Sequence, residues 1–192
     1  MTSAPRILKI FPQSLKELAS VRSLAILGML VALSVAAEAL TIPINTSLFI
    51  RFTFIFMSIA GYAFGPVSAG LAGAAVDIIG FLLFPKGAFF PGYTLSAILG
   101  GMVYGLFLYK RDYTKKSFYV YVGLSKIVVN LFINLFLNTI WSSYFTGKGI
   151  FVLLPPRFIK NIVLLPAEII VMAVVLSFTA RLLDRMKLNK NS

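Results

Sequence analysis

Six apolar runs separated by short turn-forming stretches constrain this chain more than any other feature. They fall at 23–42, 48–64, 67–84, 93–109, 118–144 and 158–183. Each is close to the length of about 20 residues with which a helix crosses the hydrocarbon of a bilayer. The interruptions carry turn chemistry: Pro43 and Asn45, Gly65-Pro66, Pro85-Lys86-Gly87, Pro91-Gly92, the stretch from Lys110 to Lys116, and that from Gly147 to Pro156. A soluble domain carries roughly a quarter charged residues. Here 12% of 192 residues are charged and 59% hydrophobic, with a mean hydropathy of +0.92. The pattern predicts an all-α membrane protein, a bundle of six transmembrane helices in one unit, in contact with lipid along most of its surface. The first run continues into Glu38 and Pro43 without a small-residue cleavage context, so it reads as a retained span and not as a signal peptide.

Two absences narrow the chemistry. The chain has no cysteine, hence no thiolate nucleophile or thiolate metal ligand, and no histidine, hence no imidazole base or imidazole ligand. No metal site, no catalytic residue and no enzyme activity are expected. The excess of 18 Lys+Arg over 6 Asp+Glu, a net charge of +12, would point to nucleic acid in a soluble protein. In a six-span chain it sorts by side instead. Arg6, Lys9, Lys16 and Arg22 precede the first run, Lys110, Arg111, Lys115 and Lys116 separate the fourth from the fifth, and Arg181, Arg185, Lys187 and Lys190 follow the sixth. All three clusters then lie on one side, which the positive-inside rule makes cytoplasmic, together with both termini. No nucleic-acid partner is needed to explain them. Ahead of the first run, Ile7, Leu8, Ile10, Phe11, Leu15 and Leu18 alternate with Arg6, Lys9 and Lys16, an amphipathic segment suited to the membrane surface and interrupted at Pro12.

Arg51, Lys86, Lys126, Lys148, Arg157 and Lys160 remain outside those clusters, five of them near outer span ends. Arg157 and Lys160 are three apart, on one helical face at the expected start of span six, where the helix dipole also favours anions. Ionisable residues within spans are costly and therefore functional candidates. Arg51 and Asp77 are expected to pair in the outer half; Lys126 is expected to snorkel toward the cytoplasm, and Glu168 lies in span six. Asn130, Asn134 and Asn138, four apart, put an inward-facing polar stripe beside Trp141, the single tryptophan. The segment Gly87-Ala88-Phe89-Phe90-Pro91-Gly92-Tyr93 offers flat apolar faces at the outer mouth. Aromatics, amides, one carboxylate and rim cations together suit a planar heterocycle with an anionic tail, Asp77 accepting from an aminopyrimidine edge and Arg157 with Lys160 holding carboxylates. On span one, Gly28, Ala32 and Ala36 form a small-residue stripe that admits close approach of another helix.

In these motifs the chain resembles the substrate-binding S components of energy-coupling factor (ECF) vitamin transporters, and within them the folate-specific family. The resemblance rests on the segment from Phe89 to Ala97, on Leu154-Pro155-Pro156-Arg157 with Ile159-Lys160-Asn161, on Ile50-Arg51-Phe52, and on Asp77 within a glycine-rich span. It implies a six-helix bundle with cytoplasmic termini in the cell membrane of a prokaryote, capturing folate outside and releasing it inside. It implies partners too: a transmembrane scaffold subunit, docked on Gly28, Ala32 and Ala36, and two ATPase subunits. The chain has no Gly-rich Lys-Ser/Thr phosphate loop, so it holds no cofactor and ATP is used by those partners. The division that follows is 1–22, a cytoplasmic amphipathic segment; 23–183, the substrate-binding domain; and 184–192, a cytoplasmic basic tail. The expected folate-binding residues are Arg51, Asp77, Phe90, Tyr93, Asn138, Trp141, Arg157 and Lys160. The alternatives are an S component for riboflavin, thiamine or biotin, and a small integral membrane enzyme. The paired outer cations favour a dianionic ligand over those vitamins.

Overall fold

A computed structural model of the chain describes residues 6–45, 48–85 and 88–188; Lys86, Gly87 and Lys190 lie outside them. Helix α1 (Arg6–Leu18) precedes α2 (Val21–Glu38), which starts where the Ser20 side chain accepts from the Ser23 amide. Strands β1 (Ile42–Asn45) and β2 (Leu48–Ile50) pair antiparallel, Ile42 opposite Ile50 and Pro43 opposite Phe49. Then come α3 (Thr53–Leu83), α4 (Pro91–Leu108), α5 (Lys116–Val128), a π-helical stretch (Val129–Leu137), α6 (Asn138–Thr146) and α7 (Ile150–Leu188). Among the described residues, α2, α3, α4, the continuous run 116–146 and α7 are long and apolar enough to cross a membrane, five in all. A core of Leu30, Met57, Ala60, Tyr104, Leu108, Phe118, Val122, Met172 and Leu176 joins them.

The structure departs from the sequence expectation at three joints. The first is Gly65-Pro66, expected to be a turn between two spans. It is instead a break of one residue within α3, where Gly65 takes φ 84° and ψ −174°. Ser14, from α1, closes it. Its hydroxyl donates to the Phe64 carbonyl at 2.7 Å and accepts from the Val67 and Ser68 amides at 3.1 and 3.2 Å. It thereby caps the second half of α3, in which Pro66 is the first residue and has no donor to satisfy. A Cβ on Gly65 would meet Cβ of Ser14 at 2.8 Å in a left-handed conformation. Gly65→Ala should therefore destabilise the protein by more than the ~1–2 kcal/mol of the backbone conformation alone, read as a lower midpoint of thermal unfolding in detergent. An unchanged midpoint would show that the break relaxes.

The second joint is the hairpin. Residues 48–50 were expected to begin a span, but Ile42, Ile44 and Ile50 favour extended backbone and Pro43 is tolerated on a strand edge. The helix starts only at Thr53. The third is α7, which begins at Ile150 and carries Pro155, Pro156 and Pro166 inside it. The prolines leave the carbonyls one turn earlier without a helical donor yet do not interrupt the run. The helix also continues through Leu188, past the expected start of the tail.

Glycines let α3 and α4 touch backbone to backbone: a Cβ on Gly101 would run into the carbonyl of Ala69. Glu17 fastens α1 to the loop after α4, accepting from Lys110 Nζ at 2.6 Å and from the Tyr109 hydroxyl at 3.2 Å. Partial burial pushes its pKa up, but the hydrogen bond and charge of Lys110 outweigh this and hold the carboxyl below its ordinary value.

Candidate functional site

The helices enclose a cavity of about 380 Å³, within the range of small-molecule sites. Of the eight residues expected to bind ligand, Arg51, Asp77, Phe90, Tyr93, Asn138, Arg157 and Lys160 line it. They arrive from the β2–α3 junction, the C-terminal end of α3, the start of α4, α6 and α7. Trp141 stands behind the wall. Its ring packs on Phe90 with centroids 5.7 Å apart, and its Nε1 donates to Oγ of Ser96, which does line the cavity, at 3.2 Å.

Phe90 is the hub of the aromatic wall, with Tyr93, Tyr144 and Phe145 at 5.9, 5.9 and 6.2 Å between centroids. Pro91 opens α4 directly behind it, where a missing N–H costs nothing. The Tyr93 hydroxyl lies 2.7 Å from Ser142 Oγ, which also accepts from Arg157 Nη2 at 2.6 Å. Arg157 is thus held with its guanidinium in the wall, only 8% exposed. Lys160 Nζ donates to the Phe49 carbonyl at 3.2 Å and ties the hairpin to α7. Because α7 starts at Ile150, both cations lie in the helix interior and not in its first turn. The helix-dipole contribution expected for them falls off within that turn, so they act through their own charges.

Two expectations are corrected, one pairing and one side-chain direction. Asp77 does not pair with Arg51: its Oδ2 accepts from Thr94 Oγ1 at 2.6 Å, while Arg51 lies exposed with its guanidinium 5.9 Å from the Phe49 ring centroid. Nor does Lys126 snorkel. It is 2% exposed, its Nζ 3.3 Å from Glu168 Oε2 and 3.7 Å from the Phe54 ring centroid. Glu168 on α7 offsets part of the cost of burying the ammonium.

The asparagine stripe faces inward as expected and ends on that pair. Asn138 Nδ2 donates to Asn134 at 3.5 Å, Asn134 Nδ2 to Asn130 at 3.0 Å, and Asn130 Nδ2 to Glu168 Oε2 at 2.8 Å. The stripe runs along the π-helical stretch and into the first residue of α6. Lys126, Glu168, Tyr104 and Phe54 belong to the lining but not to the expected set. For Lys126 the signal was present in its spacing, four residues before Asn130. Tyr104 and Phe54 give none.

The wall thus has aromatic faces, cations on the hairpin and α7, and a polar floor. Among the described residues no three of His, Cys, Asp and Glu converge to hold a metal. On α2, Gly28, Ala32 and Ala36 are exposed, and nothing lies within 4 Å of a Cβ placed on Gly28, so the stripe is not used for packing within the chain.

Proteins of similar sequence and fold point to one family. A folate transporter, FolT, of Clostridium novyi (strain NT) is 38% identical over 139 residues, 72% of this chain and 76% of that protein. One from Leuconostoc mesenteroides is 32% identical over 153 residues, 77% and 80% of the two chains. The crystal structure of FolT bound with folic acid superposes with a TM-score of 0.73 at 37% identity, covering 80% of this chain and 91% of that one. The family model described as "ECF transporter, substrate-specific component" matches residues 22–176. A helical chain that matches this family model over residues 22–176 and shares 38% identity with such a relative therefore belongs to the substrate-specific components of ECF transporters.

Proposed function

We propose that this chain is the folate-binding subunit of an ECF-type importer in the cell membrane of a prokaryote. One observation carries the reading: residues from five separate segments, chosen for a planar heterocycle with an anionic tail, converge on a single cavity. Phe90 and Tyr93 present aromatic faces to the ring system, with Trp141 backing Phe90. Asp77 and Asn138 offer acceptors to ligand donors. Arg51, Arg157 and Lys160 hold the carboxylates. The bundle crosses the membrane six times, the two halves of α3 counting separately on either side of Gly65, with both termini cytoplasmic. The basic residues of the α4–α5 loop and of the end of α7 support that orientation. The exposed stripe Gly28, Ala32 and Ala36 docks on a transmembrane scaffold subunit, and two ATPase subunits supply the energy. The chain captures folate outside and releases it inside, and ATP is used by those partner subunits.

The test is direct. Because Trp141 is the single tryptophan and packs against the cavity wall, folate added to purified protein should change its fluorescence saturably at micromolar concentration or below. No change with folate, alongside a saturable change with riboflavin, thiamine or biotin, would replace folate by that vitamin.

A further inference from the structure

We propose that Lys148 steers anionic ligands to the mouth of the cavity, setting the rate of capture without holding the ligand once it is bound. This rests on the folate reading only through the negative charge of the ligand.

The charges of the chain sort unevenly between its two ends. The six carboxylates are Glu17, Glu38, Asp77, Asp112, Glu168 and Asp184. Glu17 is bound to Lys110, Asp112 lies in the loop before α5 and Asp184 near the end of α7, all three beside the basic clusters. Glu168 is paired with Lys126 inside the bundle. Only Glu38 and Asp77 remain for the end that carries the mouth, both half-buried in the cavity lining. By sequence, five cations belong to that end: Arg51, Lys86, Lys148, Arg157 and Lys160. Membrane insertion calls for cations on the opposite side.

Arg51, Arg157 and Lys160 are part of the lining; Lys148 is not. It is exposed and makes no ion pair among the described residues. Its backbone is nevertheless fixed. Gly147 ends α6 with φ 68° and α7 begins at Ile150, so the turn is short. Ser143 Oγ donates to the Lys148 carbonyl at 2.7 Å, and the Lys148 amide donates to Thr146 Oγ1 at 3.4 Å. Phe145 and Thr146 line the cavity. The turn thus carries an ammonium group two residues from the lining, in open solvent.

A charge in that position acts before contact. The Debye length is about 30 Å at 0.01 M salt and about 8 Å at 0.15 M, so a dianion is drawn to the rim from afar at low salt and only close by at physiological salt. Once the ligand is seated, its departure depends on the residues that touch it. Rim charges accordingly alter the association rate and its salt dependence. Arg51 is exposed as well, but it belongs to the binding set, and a change there would alter approach and hold together. Lys148 isolates the approach.

Stopped-flow mixing of folate with purified protein, followed by Trp141 fluorescence, reads both rate constants. At about 0.01 M salt, Lys148→Glu should slow association about fivefold and Lys148→Gln about twofold. At about 0.15 M salt both should come within about twofold of the wild type. Dissociation should stay within about 1.5-fold throughout. 6-Methylpterin, which carries no net charge at neutral pH, should associate with all three proteins at one rate. Lys116→Glu, the same change of charge at the other end of the bundle, should associate with folate as the wild type does. Wild-type association of folate with Lys148→Glu at low salt overturns the proposal. So does an equal slowing of folate and 6-methylpterin, which would make Lys148 a residue that shapes the turn or meets lipid. Failure of wild-type protein to bind folate at all would instead remove the folate reading.

Discussion

Cells carrying Ala32→Trp or Ala36→Trp should lose folate uptake to background, while the purified variants bind folate as the wild type does. The separation follows from which way α2 faces. Leu27, Leu30, Ser34, Val35 and Ala37 are its buried residues, and α3 is its main neighbour. Gly28, Ala32 and Ala36 lie on the opposite, exposed side. In lipid there is little hydrophobic drive between helices, so association depends on close van der Waals contact, which small residues permit. An indole on this stripe separates two helix axes by the thickness of a ring along the contact. No residue of the cavity moves, because α2 reaches the cavity only through Glu38 at its far end. Uptake of labelled folate in cells that supply the scaffold and ATPase subunits, set beside titration of the purified variants, measures both halves. Normal uptake would remove α2 as the docking face.

Arg157→Ala should weaken folate binding by about 10- to 150-fold, the equivalent of about 1.5–3 kcal/mol for a hydrogen bond to a charged group. The guanidinium is already oriented by Ser142, which Tyr93 also contacts, so little ordering is lost when a carboxylate arrives. Lys160→Ala acts differently. It removes a cation and also releases the Phe49 carbonyl, so its effect includes the freedom of the hairpin. 6-Methylpterin, which has no carboxylate, separates these contributions as the fourth corner of a cycle. Arg157→Ala should bind 6-methylpterin as the wild type does. An equal loss for 6-methylpterin and folate would move the carboxylates away from Arg157.

Patterns that repeat along one helix were legible in the sequence. Asn130, Asn134 and Asn138 face inward because a four-residue repeat keeps one face whatever the partners are. The stripe Gly28, Ala32 and Ala36 could be read as an unfilled face for the same reason. Patterns that depend on a partner distant in sequence were not legible. Lys126 was expected to reach for the cytoplasm, since nothing near it in sequence announces Glu168 on α7. Arg51 and Asp77 looked like a pair by depth alone, but Thr94 satisfies Asp77 from α4. Gly65-Pro66 was correctly recognised as a discontinuity; its form, a one-residue break, depends on a hydroxyl fifty positions earlier. The hairpin was hidden because Leu48, Phe49 and Ile50 are as apolar as the helix that follows them.

The closure of that break by Ser14 bears on how the protein can be trimmed and tagged. Deleting the segment ahead of the first apolar run takes away a hydroxyl that serves one carbonyl and two amides within the bundle. A shortened chain beginning near residue 20 would keep every residue of the cavity and lose the cap that fixes the two halves of α3 against each other. The first helix should therefore travel with any transplant of this bundle.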